Sequence, residues 1–380
     1  MKQTVLCGID NLKNTNILEG KSIGLITNPT GVNKALKSTI DILNEEYNLV
    51  CMMSPEHGVR GDLQAGDKVE TYTDDKTGLP VYSLYGQSCH IKPEIMDTID
   101  VIVFDIQDVG ARFYTYLYTL AYAMEDSAKA NKTVVVLDRP NPISCGKPQG
   151  TVLDNEFASF VGRFEIATSY GMTMGEYAKY INKECNINCD LEVVKMSGYD
   201  RTKYYDETDL IWISPSPNLP TIDSCICYIG TCLFEGTNVS EGRGTTKPFE
   251  TIGAPWMKAD LVIKELQHHN FSGVMFRETY FKPTFSKHAN ELCHGIQIHI
   301  TDRTVFEPFK LGVFLADIIR KMHTEFEFLQ PLKEGAHPFI DLLLGTDAIR
   351  QSDFNTAEFL ANQQVKIDEY AKSIEQYRLY

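Results

Sequence analysis

The chain has 380 residues, 43% of them hydrophobic, and its 51 acidic against 36 basic side chains give a formal net charge of -15. That length exceeds what one hydrophobic core usually organises and predicts two packed units. The acidic balance, with no run of Lys or Arg, excludes a phosphate-driven nucleic-acid binder.

No apolar segment approaches the ~20 residues of a membrane helix, so membrane insertion is not expected. Residues 1–10 lack the apolar stretch of a signal peptide. As it stands the sequence predicts a cytoplasmic protein, or an exported one if a signal has been trimmed. Ten scattered cysteines, several within apolar runs as Cys51 and Cys225 are, read as buried free thiols.

Along the chain, Ser22 to Thr27 (SIGLIT), Asn48 to Met53 (NLVCMM), Val101 to Phe104 (VIVF) and Thr133 to Leu137 (TVVVL) predict buried strands. Between the last two, Leu117, Leu120, Ala121, Met124 and Ala128 recur at helical spacing and lay one apolar stripe over a sheet. Strand, helix and strand at this pitch imply parallel pairing with right-handed crossovers. After about Asp223 the texture changes to polar loops from Glu235 to Pro255. A helix near Asp260 to His268, a strand near Gly295 to Thr301, and helices near Leu311 to Met322 and Thr356 to Tyr377 follow. The expected architecture is α/β, with a Rossmann-like parallel-sheet catalytic domain over residues 1–227 and a smaller α/β domain over 228–380 that completes the cleft.

Ligands of open parallel sheets bind beyond the carboxyl ends of the strands, where adjacent loops diverge. Each predicted strand ends there in a polar segment: Asn28-Pro29-Thr30-Gly31, Glu56-His57-Gly58-Val59-Arg60, Asp105-Ile106-Gln107-Asp108 running to Arg112, and Asp138-Arg139-Pro140-Asn141. The second half adds Asn218, Glu235 to Asn238, and Glu241-Gly242-Arg243. Plainer readings exist for each. Glu56 and His57 can be a surface pair, Asp105 and Asp108 can cap a helix beginning near Phe113, and Arg60, Arg112 and Arg243 can be structural ion pairs. Convergence on one sheet edge favours a shared site.

The chain has neither GxGxxG nor GxxxxGKS/T, which argues against a nucleotide enzyme, and no GxSxG elbow. His268-His269 and Cys225-Ile226-Cys227 lack zinc spacing, and neither a metal nor an organic cofactor is expected. Carboxylate chemistry with arginine and amide support remains. Glycoside cleavage needs one protonated carboxyl to donate to the departing oxygen, and usually a second carboxylate. Glu56, Glu241 and Glu235 are the glutamates in Gly-bracketed loops, and His57 is placed to tune its neighbour. Asp105, Gln107, Asp108 and Asn141 offer donors and acceptors for ring hydroxyls, with Asn28, Asp138, Asn218 and Asn238 lining the same loops. Arg60, Arg112 and Arg243 can grip an anionic substituent, and Tyr114 and Tyr116 supply aromatic faces.

Taken together, these segments resemble the exo-β-N-acetylmuramidases called NamZ, once a domain of unknown function (DUF1343). The resemblance runs through GLITNPTG (Gly24 to Gly31), SPEHGVRG (Ser54 to Gly61), LPVYSLYG (Leu79 to Gly86), DIQDVGARFYTY (Asp105 to Tyr116) and LDRPNPI (Leu137 to Ile143). SFVGRFEIATSYGMTMGE (Ser159 to Glu176), SPSPNLPT (Ser214 to Thr221), EGTNVSEGRGTTKPFETIGAPW (Glu235 to Trp256) and the closing RLY (Arg378 to Tyr380) complete it, with Pro29 and Cys145 as tolerable variants. It implies release of the non-reducing terminal N-acetylmuramic acid from peptidoglycan-derived saccharides or muropeptides, by a Rossmann-like domain and a smaller one with the cleft between them. On this resemblance Glu56 is the general acid, and Glu241, ahead of Glu235 and Asp105, is its partner. An arginine would grip the lactyl carboxylate of muramic acid. The competing readings are a non-catalytic muropeptide sensor and a lyase acting on the lactyl ether.

Overall fold

A computed structural model describes residues 2–55, 58–60, 71–84, 89–331 and 333–380. In chain order the strands are β1 (Ser22–Thr27), β2 (Asn48–Ser54), β3 (Tyr72–Thr73), β4 (Pro80–Ser83), β5 (Val101–Asp105), β6 (Thr133–Leu137), β7 (Gln149–Val152), β8 (Ala167–Ser169), β9 (Asp190–Val194), β10 (Thr251–Ala254), β11 (Val274–Phe281) and β12 (Cys293–Ile300).

The four apolar runs are β1, β2, β5 and β6. They sit inside a seven-stranded sheet of order β3-β4-β2-β1-β5-β6-β9. Every pairing in it is parallel except β3 with β4. Their continuous hydrophobicity follows from burial on both faces. Ile23, Leu25, Val101 and Val103 pack in one core cluster. The alternate residues Ile26, Ile102 and Phe104 pack in another on the opposite face.

The strand order turns back beside β1: the chain first builds outward through β2 and β4, then crosses to β5 on the other side. This is a topological switch point, where such sheets open a crevice at their carboxyl ends. The register sets Thr27 of β1 opposite Asp105 of β5, so the segments after these residues leave the sheet side by side.

The helical stripe becomes the helix Tyr116–Ala130, closed by Asn131 in the left-handed conformation at φ 51. It starts at Tyr116 with Thr115 at its cap position, so Asp105 and Asp108 do not cap it. The helix Met174–Glu184 opens on a reciprocal capping box between Thr173 and Glu176.

The second half carries the antiparallel sheet β10-β12-β11 and the helices Ile222–Thr231, Ala259–Gln267, Pro308–Met322 and Thr356–Ile374. The larger core cluster runs from Phe104, Leu117 and Met124 of the first half to Phe234, Ile296 and Leu315 of the second. The two halves therefore share a core. All ten cysteines are free, eight of them buried. Among the described residues no helix is long and apolar enough to cross a membrane.

Candidate active site

The switch point begins where β1 ends. Asn28 is buried and folds its side chain back as an Asx turn, its Oδ1 accepting from the Thr30 amide (3.0 Å) and the Thr30 hydroxyl (2.5 Å). Thr30 Oγ1 in turn accepts from the Gln107 amide at 2.9 Å, which ties the β1 loop to the β5 loop. Gln107 Nε2 donates to the carbonyls of Asp108 (2.8 Å) and Pro140 (2.7 Å).

Asp108 Oδ2 accepts from the Gly110 amide at 2.6 Å and the Tyr170 hydroxyl at 2.5 Å. Burial pushes the Asp108 carboxyl up to about 7, against the smaller opposing pull of Tyr170 and the Gly110 and Val109 amides. Three buried atoms in this network, Asn28 Nδ2, Gln107 Oε1 and Asp108 Oδ1, have no hydrogen-bond partner among the described residues.

Its neighbours at the strand ends are turned inward. Asp105 is fully buried under the Arg139 guanidinium, which donates through Nε at 2.5 Å and Nη2 at 2.9 Å, and it also accepts from the Thr39 hydroxyl. Asp138 accepts from the amides of Arg139 (3.0 Å) and Gly175 (2.8 Å) and from the hydroxyls of Thr173 and Tyr380 (both 2.8 Å). Burial pushes its carboxyl up to about 6. Asn141 joins the Met172 carbonyl to the Ile143 amide.

Arg112, fully buried, donates to the carbonyls of Thr151 (2.7 Å), Ile166 (3.1 Å) and Leu343 (2.9 Å), and burial without a carboxylate partner pulls its guanidinium down to about 10. Arg60 makes a forked contact with Asp74, both bonds 2.9 Å. Neither of these arginines presents its fork to a cleft, because each fork is committed within the protein.

A run of aromatic rings leads from the sheet edge into the second half. Tyr114 stands edge-on to Tyr116 with centroids 4.9 Å apart and to Tyr228 at 6.2 Å; Tyr228 meets Phe249 at 4.6 Å. Tyr116 donates to the Pro215 carbonyl at 2.9 Å. The Arg243 guanidinium lies 5.1 Å over Phe249, bonded to Glu235 at 2.8 Å and within 3.2 Å of Glu241. Burial opposes the Arg243 charge, but Glu235 and Glu241 outweigh it and hold the guanidinium above its ordinary range.

Glu241, only 1% exposed, takes Lys287 on its other oxygen at 2.8 Å, and Lys287 also donates to the Phe234 and Val239 carbonyls. Asn238 binds the Glu325 carbonyl and the Glu327 amide, holding the loop after the helix Pro308–Met322. Asn218 is buried in the turn where the Leu219 amide donates to the Ser216 carbonyl. Glu56 and His57 lie outside the described residues; in the sequence they follow Ser54, the last residue of β2, by two and three positions.

Both halves of the sequence match one known family. The model described as exo-beta-N-acetylmuramidase NamZ, N-terminal, covers residues 23–223, and its C-terminal counterpart covers 226–380. The chain belongs to the NamZ family. It is 47% identical over 387 residues to the peptidoglycan beta-N-acetylmuramidase NamZ of Bacillus subtilis (strain 168), covering 100% of this chain and 92% of that protein. Two crystal structures of DUF1343 family proteins from Bacteroides fragilis NCTC 9343 share its fold. One has a TM-score of 0.90 at 37% identity with all of both chains covered, the other 0.79 at 31% with 99% of each covered.

Within this NamZ chain the block Asp105 to Tyr116 divides by residue: Asp105 and Arg112 are engaged by interior partners, Gln107 and Asp108 each keep one polar atom without a partner among the described residues, and Tyr114 belongs to the aromatic run. Sequence reasoning passed over Thr30, Tyr170 and Lys287 as site residues. Tyr170 lies within one of the family blocks, so its position carried a signal. Lys287 lies in none of the blocks and becomes visible only when the fold brings it to Glu241.

Proposed function

We propose that the chain is an exo-acting muramidase that hydrolyses the β-1,4 bond between a non-reducing terminal N-acetylmuramic acid and the following N-acetylglucosamine of peptidoglycan-derived saccharides or muropeptides. The observation that carries this reading is the NamZ match along both halves of the chain. In the reaction the bond from C1 to the glycosidic oxygen breaks, that oxygen takes a proton, and the hydroxyl of a water ends on C1.

Glu56 donates the proton, with His57 beside it to set its state. Glu241, ahead of Glu235, is assigned as the partner carboxylate. Both Glu241 oxygens are engaged by cations, which fixes the carboxylate in place. Arg243, whose Nε and Nη2 hold Glu241 and Glu235, lies beside the proposed partner carboxylates, and its remaining Nη1 is the group we assign to the lactyl carboxylate. The ten free thiols favour work in a reducing compartment, on fragments that have already been taken up.

The test is to incubate the protein with N-acetylmuramyl-β-1,4-N-acetylglucosamine and identify products by mass spectrometry. Free N-acetylmuramic acid is expected, with turnover reduced by about 100-fold or more in Glu56→Gln while the disaccharide still binds. An intact disaccharide would refute the hydrolase, and released lactate would move the activity to the ether.

A further inference from the structure

A cavity of 290 Å³ opens between the two halves of the chain, at the small end of the volumes that hold small-molecule ligands. None of the described candidate site residues lines it. From the second half come Ile226 and Ile229, one turn apart on the helix Ile222–Thr231, and Phe306. From the first half come Lys147, Gln149 of β7 and Ser169 of β8. Gln149 and Ser169 are register partners, so their side chains stand together on one face of that small sheet.

The polar side chains of this trio are free. No hydrogen bond or ion pair engages the Lys147 ammonium, the Gln149 amide or the Ser169 hydroxyl among the described residues. Ser169 is 5% exposed, and a buried hydroxyl gains when a ligand supplies its partner. Arg303, the other cation of the lining, is already neutralised by Asp206 and Asp223, both at 2.7 Å.

The chemistry of the lining restricts the ligand. It contains no carboxylate among the described residues, in a chain whose net charge is -15, so an anion that enters meets no like charge there. One uncommitted ammonium matches a single negative charge. With the amide N–H and the hydroxyl beside it, it offers donors to both oxygens of a carboxylate. The two isoleucines and Phe306 suit a short aliphatic tail.

We propose that this cavity is a second ligand site that binds a small carboxylic acid with a short aliphatic tail. The carboxylate is held by Lys147, Gln149 and Ser169, and the tail lies against Ile226, Ile229 and Phe306. Ser169 ends β8, bridges to Ala111 and precedes Tyr170, so the site adjoins the β5 loop without sharing its candidate residues. The assignment does not depend on the muramidase reading.

The test titrates isocaproate, acetate and isocaproamide into the full chain by calorimetry. Isocaproate should bind at least about 10-fold more tightly than acetate, which lacks the tail, and than the amide, which lacks the charge. Lys147→Met alters an exposed side chain without partners, so it should weaken isocaproate by about 10-fold and leave the thermal midpoint unchanged. Ser169→Ala should weaken it by about 3-fold or more. N-acetylmuramic acid should not displace isocaproate. No saturable binding, equal affinity for acid and amide, or equal affinity in wild type and Lys147→Met would overturn the site. Displacement by N-acetylmuramic acid would give the cavity to the sugar's own lactyl carboxylate, and a second site would then fall.

Discussion

Asp108 and Asp138, both buried, follow β5 and β6 of the same sheet, and their surroundings separate them. Asp138 has both oxygens occupied by four donors, whereas Asp108 has one oxygen held and one left over. Burial raises the Asp108 carboxyl from 3.8 to about 7, so the folded state holds its proton more tightly than the unfolded chain. Stability from this group is therefore complete below about pH 4, declines as pH rises, and is lost above about pH 7, by at most about 4 kcal/mol. Asp108→Asn should flatten that decline in urea unfolding measured between about pH 4 and 7, and an unchanged slope would show that Asp108 is not the source.

The Arg60–Asp74 pair has the opposite sign. The Arg60 hydrogen bond is the main cause holding Asp74 down at about 2, from 3.8. Its contribution is present above about pH 4 and is lost as pH falls through 2. Arg60→Ala should lower the thermal midpoint at pH 7 and leave it nearly unchanged near pH 2. The sequence made Asp108, Asp138 and Arg60 visible as candidates, but not Asp74. It did not say which end of an amide or carboxyl is already engaged, because that is decided by partners such as Tyr170, far along the chain.

At the scale of elements, the strands legible in the sequence are those buried on both faces. β9 was missed because it is an edge strand with Asp190 and Glu192 exposed, and β4 because it begins with Pro80 near the other edge. β11 escaped notice for a similar reason, with Met275, Arg277 and Glu278 facing solvent. The helices Ile222–Thr231 and Pro308–Met322 cross at two glycines: a Cβ on Gly312 would lie 2.2 Å from the Gly230 carbonyl oxygen, and one on Gly230 2.0 Å from that of Pro308. Contact with backbone cannot be relieved by a rotamer change. Gly312→Ala should cost on the order of 1–3 kcal/mol, read as a lower denaturation midpoint. A midpoint equal to wild type would mean that the crossing is looser than described.

For the whole molecule, length predicted two units, but their shared core had no local signal. The final helix Thr356–Ile374 returns to pack on β7, the Tyr370 hydroxyl donates to the Tyr170 carbonyl, and Tyr380 reaches Asp138. Heating should therefore give one cooperative transition in calorimetry, and residues 1–225 expressed alone should lack native near-ultraviolet dichroism. Two resolved transitions would contradict the shared core.

Exo-action on muramic acid is what defines the proposed activity. It is tested most directly with two peptidoglycan tetrasaccharides, one ending at its non-reducing end in N-acetylmuramic acid and the other in N-acetylglucosamine, with products followed by mass spectrometry. Release of one N-acetylmuramic acid from the first, with the second left intact, is the result predicted; cleavage of the second, internal cleavage of either, or no cleavage of the first would contradict it.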